Sequence, residues 1–207
     1  SGPSMDILIE RPAAMPRARF IVTLVIVGLS ATACSKNARE YYDSGNRYFD
    51  QQKFREAVLE YKNATQREPK FGEAHFKLAE ACSRLADVRC ALREYVDAAD
   101  LMPDNREAQL KAGTMLFLAR RFEDARTRAD KVLAKDARNL EAQLLRANAT
   151  AGMNDLDGAI RQLEEAIALA PQASGTYSNL GAIQQQKGDA AAAEKSFRQA
   201  VDIDPKS

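Results

Sequence analysis

The chain repeats itself every 34 residues. Ala57, Tyr61, Ala64 and Pro69 return as Ala91, Tyr95, Ala98 and Pro103, and then as Ala125, Ala129, Val132 and Ala137. They come back again as Ala159, Leu163, Ala166 and Pro171, and finally as Ala193, Phe197, Ala200 and Pro205. Steps of four and three residues place the first three on one face of an α-helix, and the proline, which lacks an N–H, closes that helix. Five units tile the chain without insertion, at 38–71, 72–105, 106–139, 140–173 and 174–207. Counting from 1 within each unit, position 8 is always small: Gly45, Ala79, Gly113, Ala147 and Gly181. A first helix can therefore lie close against its partner there. Position 17, where a second helix begins, holds Phe54, Val88, Phe122, Leu156 and Ala190; the turn before it carries Asn154 in the fourth unit and Gly188 in the fifth. Both tolerate left-handed backbone. The expected fold class is all-α, a solenoid of five helix-turn-helix units.

Composition narrows the function. Lys plus Arg number 30 against 29 for Asp plus Glu, so no basic excess exists to release counterions from a nucleic acid, and none is expected as a partner. The three cysteines lack zinc-site spacing, and His75, the single histidine, falls at packing position 4. Phosphate-loop, dinucleotide and metalloprotease motifs are missing, so neither a metal nor a cofactor nor an enzymatic activity is expected. Cys82 and Cys90, at positions 11 and 19 of the second unit, are expected to point apart and stay unpaired. Ala98, at position 27, should be crowded core, and Glu94, at position 23, should lie on the outer face.

The N-terminus reads as an export signal. Residues 1–14 are set aside as upstream sequence, and Met15 is the better start. A short basic region with Arg17 and Arg19 precedes an apolar to small stretch from Phe20 to Ala33, too short for a bilayer core that needs about 20 residues. The whole segment, 15–33, fits a cleaved signal better than a membrane helix. Ala31, Thr32 and Ala33 followed by Cys34 resemble a bacterial lipoprotein signal, which implies that Cys34 is acylated. The resemblance departs at Ala31, where leucine is usual, and the same triplet also fits an ordinary secretory cleavage site. Residues 34–37 would form a short tether, with Ser35 pointing to the outer membrane by resemblance.

With the period, the small residues at positions 8, 20 and 27 and the proline at 32 in hand, the chain resembles the tetratricopeptide repeat (TPR) family over 170 of its 207 residues. The third unit departs, with Ala129, Val132 and Ala137 in place of a large residue, an alanine and a proline, so its second helix is expected to be looser or to run on. The resemblance implies a right-handed superhelix whose first helices line a concave groove. By the same resemblance, Tyr42, Asn46, Phe49, Phe76, Lys77, Leu110, Lys111, Phe117, Leu144 and Asn148 are the candidate protein-binding residues. They form an apolar stripe with basic flanks, suited to an extended segment or helix of a protein partner. The carboxylate clamp of TPR co-chaperones is matched only by Asn46 and a shifted Lys111, while Tyr42, Lys77 and Glu107 stand at other clamp positions.

The expected function is a lipid-anchored TPR scaffold at the periplasmic face of a bacterial envelope, most similar to TPR lipoproteins of exosortase-type sorting and exopolysaccharide export. A pilus or secretin assembly lipoprotein is the alternative, and a soluble co-chaperone the alternative from another class. In the fifth unit Ile183, Val201 and Ile203 are expected to face beyond the last helix pair. On that expectation the natural protein continues with more repeats or a cap, and this chain alone associates through that end.

Overall fold

The computed structural model describes residues 36–205; the export-type segment, Cys34 and the last two residues lie outside the described part. Ten helices fill it: α1 (Ala38–Asp50), α2 (Phe54–Arg67), α3 (Gly72–Arg84), α4 (Val88–Leu101), α5 (Arg106–Leu118), α6 (Phe122–Leu133), α7 (Leu140–Gly152), α8 (Leu156–Leu169), α9 (Ser174–Lys187) and α10 (Ala190–Ile203). They pair as α1/α2 through α9/α10, and each pair packs on the next. First helices also meet across units, α1 on α3, α5 on α7 and α7 on α9, whereas no two second helices of the described residues pack to that extent. The odd-numbered helices thus form the inner side of an all-α solenoid. None of the described helices is long and apolar enough to cross a membrane.

Prolines end the second helices as expected. The residue before each is driven out of helical backbone by the proline ring: Glu68 (φ −135°, ψ 89°), Met102 (−122°, 65°), Ala170 (−139°, 71°) and Asp204 (−140°, 101°). The third unit has Ala137 at that place, yet the expected run-on does not occur. Helix α6 has 12 residues where its four counterparts have 14, and it closes early. Ala134 stays helical (φ −61°, ψ −25°), and the N–H groups of Lys135 and Asp136 both turn back to the Val132 carbonyl. Without a proline the end is set by these local bonds, which satisfy the orphan carbonyl two residues sooner.

Each hairpin turns at position 15 through the left-handed region. Gln52 (φ 58°), Ala86 (57°), Arg120 (60°) and Asn154 (69°) do what Gly188 (92°) does without strain. Only the last two were legible as such from their residue type. Ala86 gains nothing from its methyl group there, and the left-handed penalty of about 1–2 kcal/mol exceeds the extra unfolded-state entropy of glycine. Ala86→Gly is therefore expected to stabilise the chain by about 0.5–1 kcal/mol and raise the Tm by about 2–3 °C in a thermal melt. An unchanged or lower Tm would show the turn to be unstrained.

The core runs the length of the array. Tyr61 is fully buried against Gly45, where a Cβ would sit 2.5 Å from its ring, so the small and large positions are matched across the hairpin. In the third unit, where Ala129 replaces the large residue, Leu145 reaches over from α7, and a Cβ on Gly113 would lie 2.5 Å from its Cδ2. A neighbouring unit thus fills the space that the third leaves.

Three expectations are corrected. Cys82 and Cys90 form a disulfide, with Cα atoms 5.8 Å apart, because both lie near the α3–α4 turn where the two helices converge. Glu94 is buried, at 4 % exposure, because position 23 faces the first helix of its own unit rather than solvent. Ile183 turns inward, packing with Ala147, Ala151, Ala159, Leu163 and Leu180 of the fourth and fifth units. Val201 is exposed, beside Phe197 on a shallow hollow of about 660 Å³ along α10.

Candidate protein-binding groove

The inner face of the first two units is a ladder of aromatic rings. Tyr42 lies between Tyr61 and Phe71, with centroids 5.9 and 5.0 Å away, and the Arg39 guanidinium sits 5.0 Å from its ring. The buried Tyr61 donates its hydroxyl to Asn46 Oδ1 at 2.8 Å, which fixes that side chain on α1. Burial and the neighbouring Tyr42 push the Tyr61 phenol well above its ordinary range, so it stays a donor. Phe49 meets Phe54 edge-on at 5.2 Å, and Phe76 meets Tyr95 edge-on at 5.5 Å. Such pairs fix ring orientation beyond simple burial.

Cations overlie this ladder. Lys77 Nζ lies 5.6 Å from the centre of Phe49, and Arg84 lies 6.0 Å from Phe49 and 4.4 Å from Phe54. Lys77 also pairs with Glu80 at 2.7 Å. Burial, the largest single influence, would lower the Lys77 pKa, but the Glu80 bond together with the charges of Glu80, Tyr42 and Glu107 outweighs it and the net direction is upward, so the ammonium is retained.

The later units are less aromatic. Phe117 packs on Phe122 at 5.5 Å, and Leu144, half-buried on α7, packs against the core of the fourth and fifth units. Asn148 is half-buried one turn on. Lys111 is exposed and Leu110 is 5 % exposed, and together with Arg106, Glu107 and Glu141 they line a depression of about 230 Å³. Leu110 therefore supports the wall more than it offers surface. The ten candidate residues thus share the inner helices, with half-buried rings as fixed walls and Lys77, Arg84 and Lys111 as charged contacts. This surface can hold a polypeptide segment by packing and charge.

Sequence reasoning missed a polar bracket at position 4. Gln109 Nε2 donates to the Ala99 carbonyl at 2.5 Å and reaches Pro103 O at 3.4 Å, while its Oε1 accepts from Arg128. Gln143 Nε2 donates to Ala137 O at 2.8 Å. In the second unit His75 takes the same place: Nε2 meets Pro69 O at 3.2 Å and Nδ1 meets Glu94 Oε2 at 2.7 Å. Arg93 binds the other Glu94 oxygen at 2.6 Å, and Asp97 lies close by. With an acceptor facing each ring nitrogen, the geometry suits an imidazolium that donates from both. The recurrence of His or Gln at residues 75, 109 and 143 was the available signal.

The family model described as "TPR repeat" matches residues 45–85, and that described as "Tetratricopeptide repeat" matches 116–174 and 144–207. Together these spans cover more than half of the 207 residues, and the chain belongs to the tetratricopeptide repeat family. A sequence search of curated proteins found no match. Among solved structures the fold is similar to MamA from Desulfovibrio magneticus RS-1, with a TM-score of 0.70 and 20% identity over 82% of this chain and 96% of that one. A second MamA crystal structure gives a TM-score of 0.71 at 21% identity, over 82% of this chain and 92% of that one. YrrB, titled a TPR protein with an unusual peptide-binding site, gives 0.69 at 18% identity, over 82% and 87%. At these identities the likeness is one of fold.

Proposed function

We propose that the chain is a membrane-anchored, non-enzymatic scaffold at the periplasmic face of a bacterial envelope, serving protein sorting or exopolysaccharide export. Its inner groove holds an extended or helical segment of a protein partner. The observation that carries the reading is the ladder of half-buried rings overlaid by Lys77 and Arg84, which combines apolar and π surface with cations on one inner face. That a protein of similar fold is titled as having a peptide-binding site supports it. The Cys82–Cys90 disulfide supports export, since such bonds persist in oxidising compartments and are rare in the cytosol.

Site-specific photo-crosslinking in cells tests the groove. A crosslinker replacing Lys111 should trap a protein, and one replacing the exposed Glu165 on α8 should not. The same adducts from both sites, or none from Lys111, would count against the groove. For the anchor, Cys34→Ser should abolish incorporation of labelled palmitate and move the protein out of the membrane fraction. Retention of the variant at the membrane would exclude an anchor at Cys34.

A further inference from the structure

Position 4 does the same job in three consecutive units, but only one of its occupants can titrate. His75, Gln109 and Gln143 each direct an N–H at the carbonyl of position 32 in the loop before their own helix: Pro69, Pro103 and Ala137. The amides of Gln109 and Gln143 carry their donors at every pH. The imidazole of His75 does not. Neutral imidazole has one N–H for two facing acceptors, the Pro69 carbonyl and the Glu94 carboxylate, so on losing a proton it must leave one bond unmade and turn a lone pair towards an oxygen.

The charges around the ring favour the protonated form. From α4 the side chain faces Glu94, Asp97 and, through Glu94, Arg93; from the α2–α3 loop it faces the uncharged Pro69 carbonyl. With His75 protonated, these two anions and two cations balance, and with it neutral a buried carboxylate is left in excess.

We infer that the Pro69–His75–Glu94 bridge is a pH-dependent clasp between the first and second units, closed while the imidazole holds both protons and released when it gives one up. The clasp bears on the groove without depending on what fills it. Phe71, two residues beyond Pro69, stacks on Tyr42 of the first unit, and its carbonyl accepts from the amides of Ala74 and His75. Slackening the loop therefore loosens the seat of Tyr42.

The directions of titration agree with this geometry. Burial is the largest single influence and by itself would lower the His75 pKa, but the bond to Glu94, the charges of Glu94 and Asp97 and the Pro69 bond together outweigh it, and the net direction is upward from 6.5. Burial would raise Glu94, but the bonds to His75 and Arg93 outweigh it and the net direction is downward from 4.5. A group whose folded pKa is raised stabilises fully below its unfolded value and loses that contribution as pH rises through the folded one. For His75 the contribution is complete below about pH 6.5 and is lost above it.

Because His75 is the chain's single histidine, its titration can be followed by NMR without assignment ambiguity. The imidazole should titrate above 6.5, and the wild-type Tm should fall by about 2–5 °C between pH 6 and pH 9. His75→Gln copies the third and fourth units, and it should keep the loop bond while flattening this fall. A midpoint at or below 6.5, or the same pH slope in wild type and His75→Gln, would overturn the clasp. If His75→Gln does not fold, the wild-type NMR midpoint decides alone.

Discussion

Ala98→Glu should lower the stability of the chain by about 4 kcal/mol and its Tm by roughly 10 °C, the largest effect of any single change considered. Ala98 has no exposed surface, sitting on α4 where the helix is pressed into the core of the second unit. A glutamate there must either ionise unpaired in an apolar site or take up a proton, and its added atoms, two carbons and two oxygens, must also displace packed neighbours. Glu94→Ala, one turn earlier, is expected to cost about 2 kcal/mol, although its polar side chain suggests an outward position. It removes the acceptor of both His75 and Arg93, but the histidine can shed its proton and Arg93 is largely exposed, so no charge is stranded in the core. Glu165→Ala, on the exposed side of α8, should stay within about 0.5 kcal/mol. Thermal melts of the three variants check the ranking, and equal losses for Ala98→Glu and Glu165→Ala would refute the repeat register.

Reducing the Cys82–Cys90 bond should cost about 2.5 kcal/mol and lower the Tm by about 5–10 °C. The two cysteines are separated by 8 in sequence, and releasing so short a loop frees the unfolded chain by that amount in the chain-entropy account. The loss should be concentrated in the second unit, because both sulfurs lie within its core beside Leu78, Ala81 and Tyr95. Melts with and without reductant measure it. The double variant Cys82→Ala, Cys90→Ala should melt at a temperature that reductant no longer shifts. A wild-type Tm indifferent to reduction would show that the bond contributes nothing, and a thiol count by mass spectrometry would show whether it forms.

The helix boundaries were legible because the information lies in single residues at fixed spacing. Each second helix starts at position 17, and prolines stop four of the five. The shortened α6 was not legible, because its end depends on two N–H groups turning back to Val132 once no proline intervenes. Position 15 was read at Asn154 and Gly188 only; at Gln52, Ala86 and Arg120 the geometry of the hairpin overrides the preference of the residue. The polar side chain at position 23 misled, and the partners of those at position 4 were missed, for a related reason. Helical periodicity says which face is apolar but not which polar side chain has a buried partner, and Glu94 is buried because His75 and Arg93 meet it. The placement of the ten candidate residues on the inner helices was legible from the 34-residue period. Periodicity could not show that their rings are wedged between helices, nor that Leu110 is almost covered.

The filling of the third unit by Leu145 has a kinetic consequence. Units elsewhere carry their own large residue at position 24, Tyr61, Tyr95, Leu163 or Phe197, and a hairpin can close around it before its neighbour arrives. The third carries Ala129 and borrows its filler from α7, so its hairpin stays incomplete until the fourth unit has been made. In a chain that emerges from its N-terminus, the first two units can settle as they appear, held by contacts of short loop closure. The third waits. Folding then advances in two blocks, with a pause whose length is the time needed to deliver Leu145.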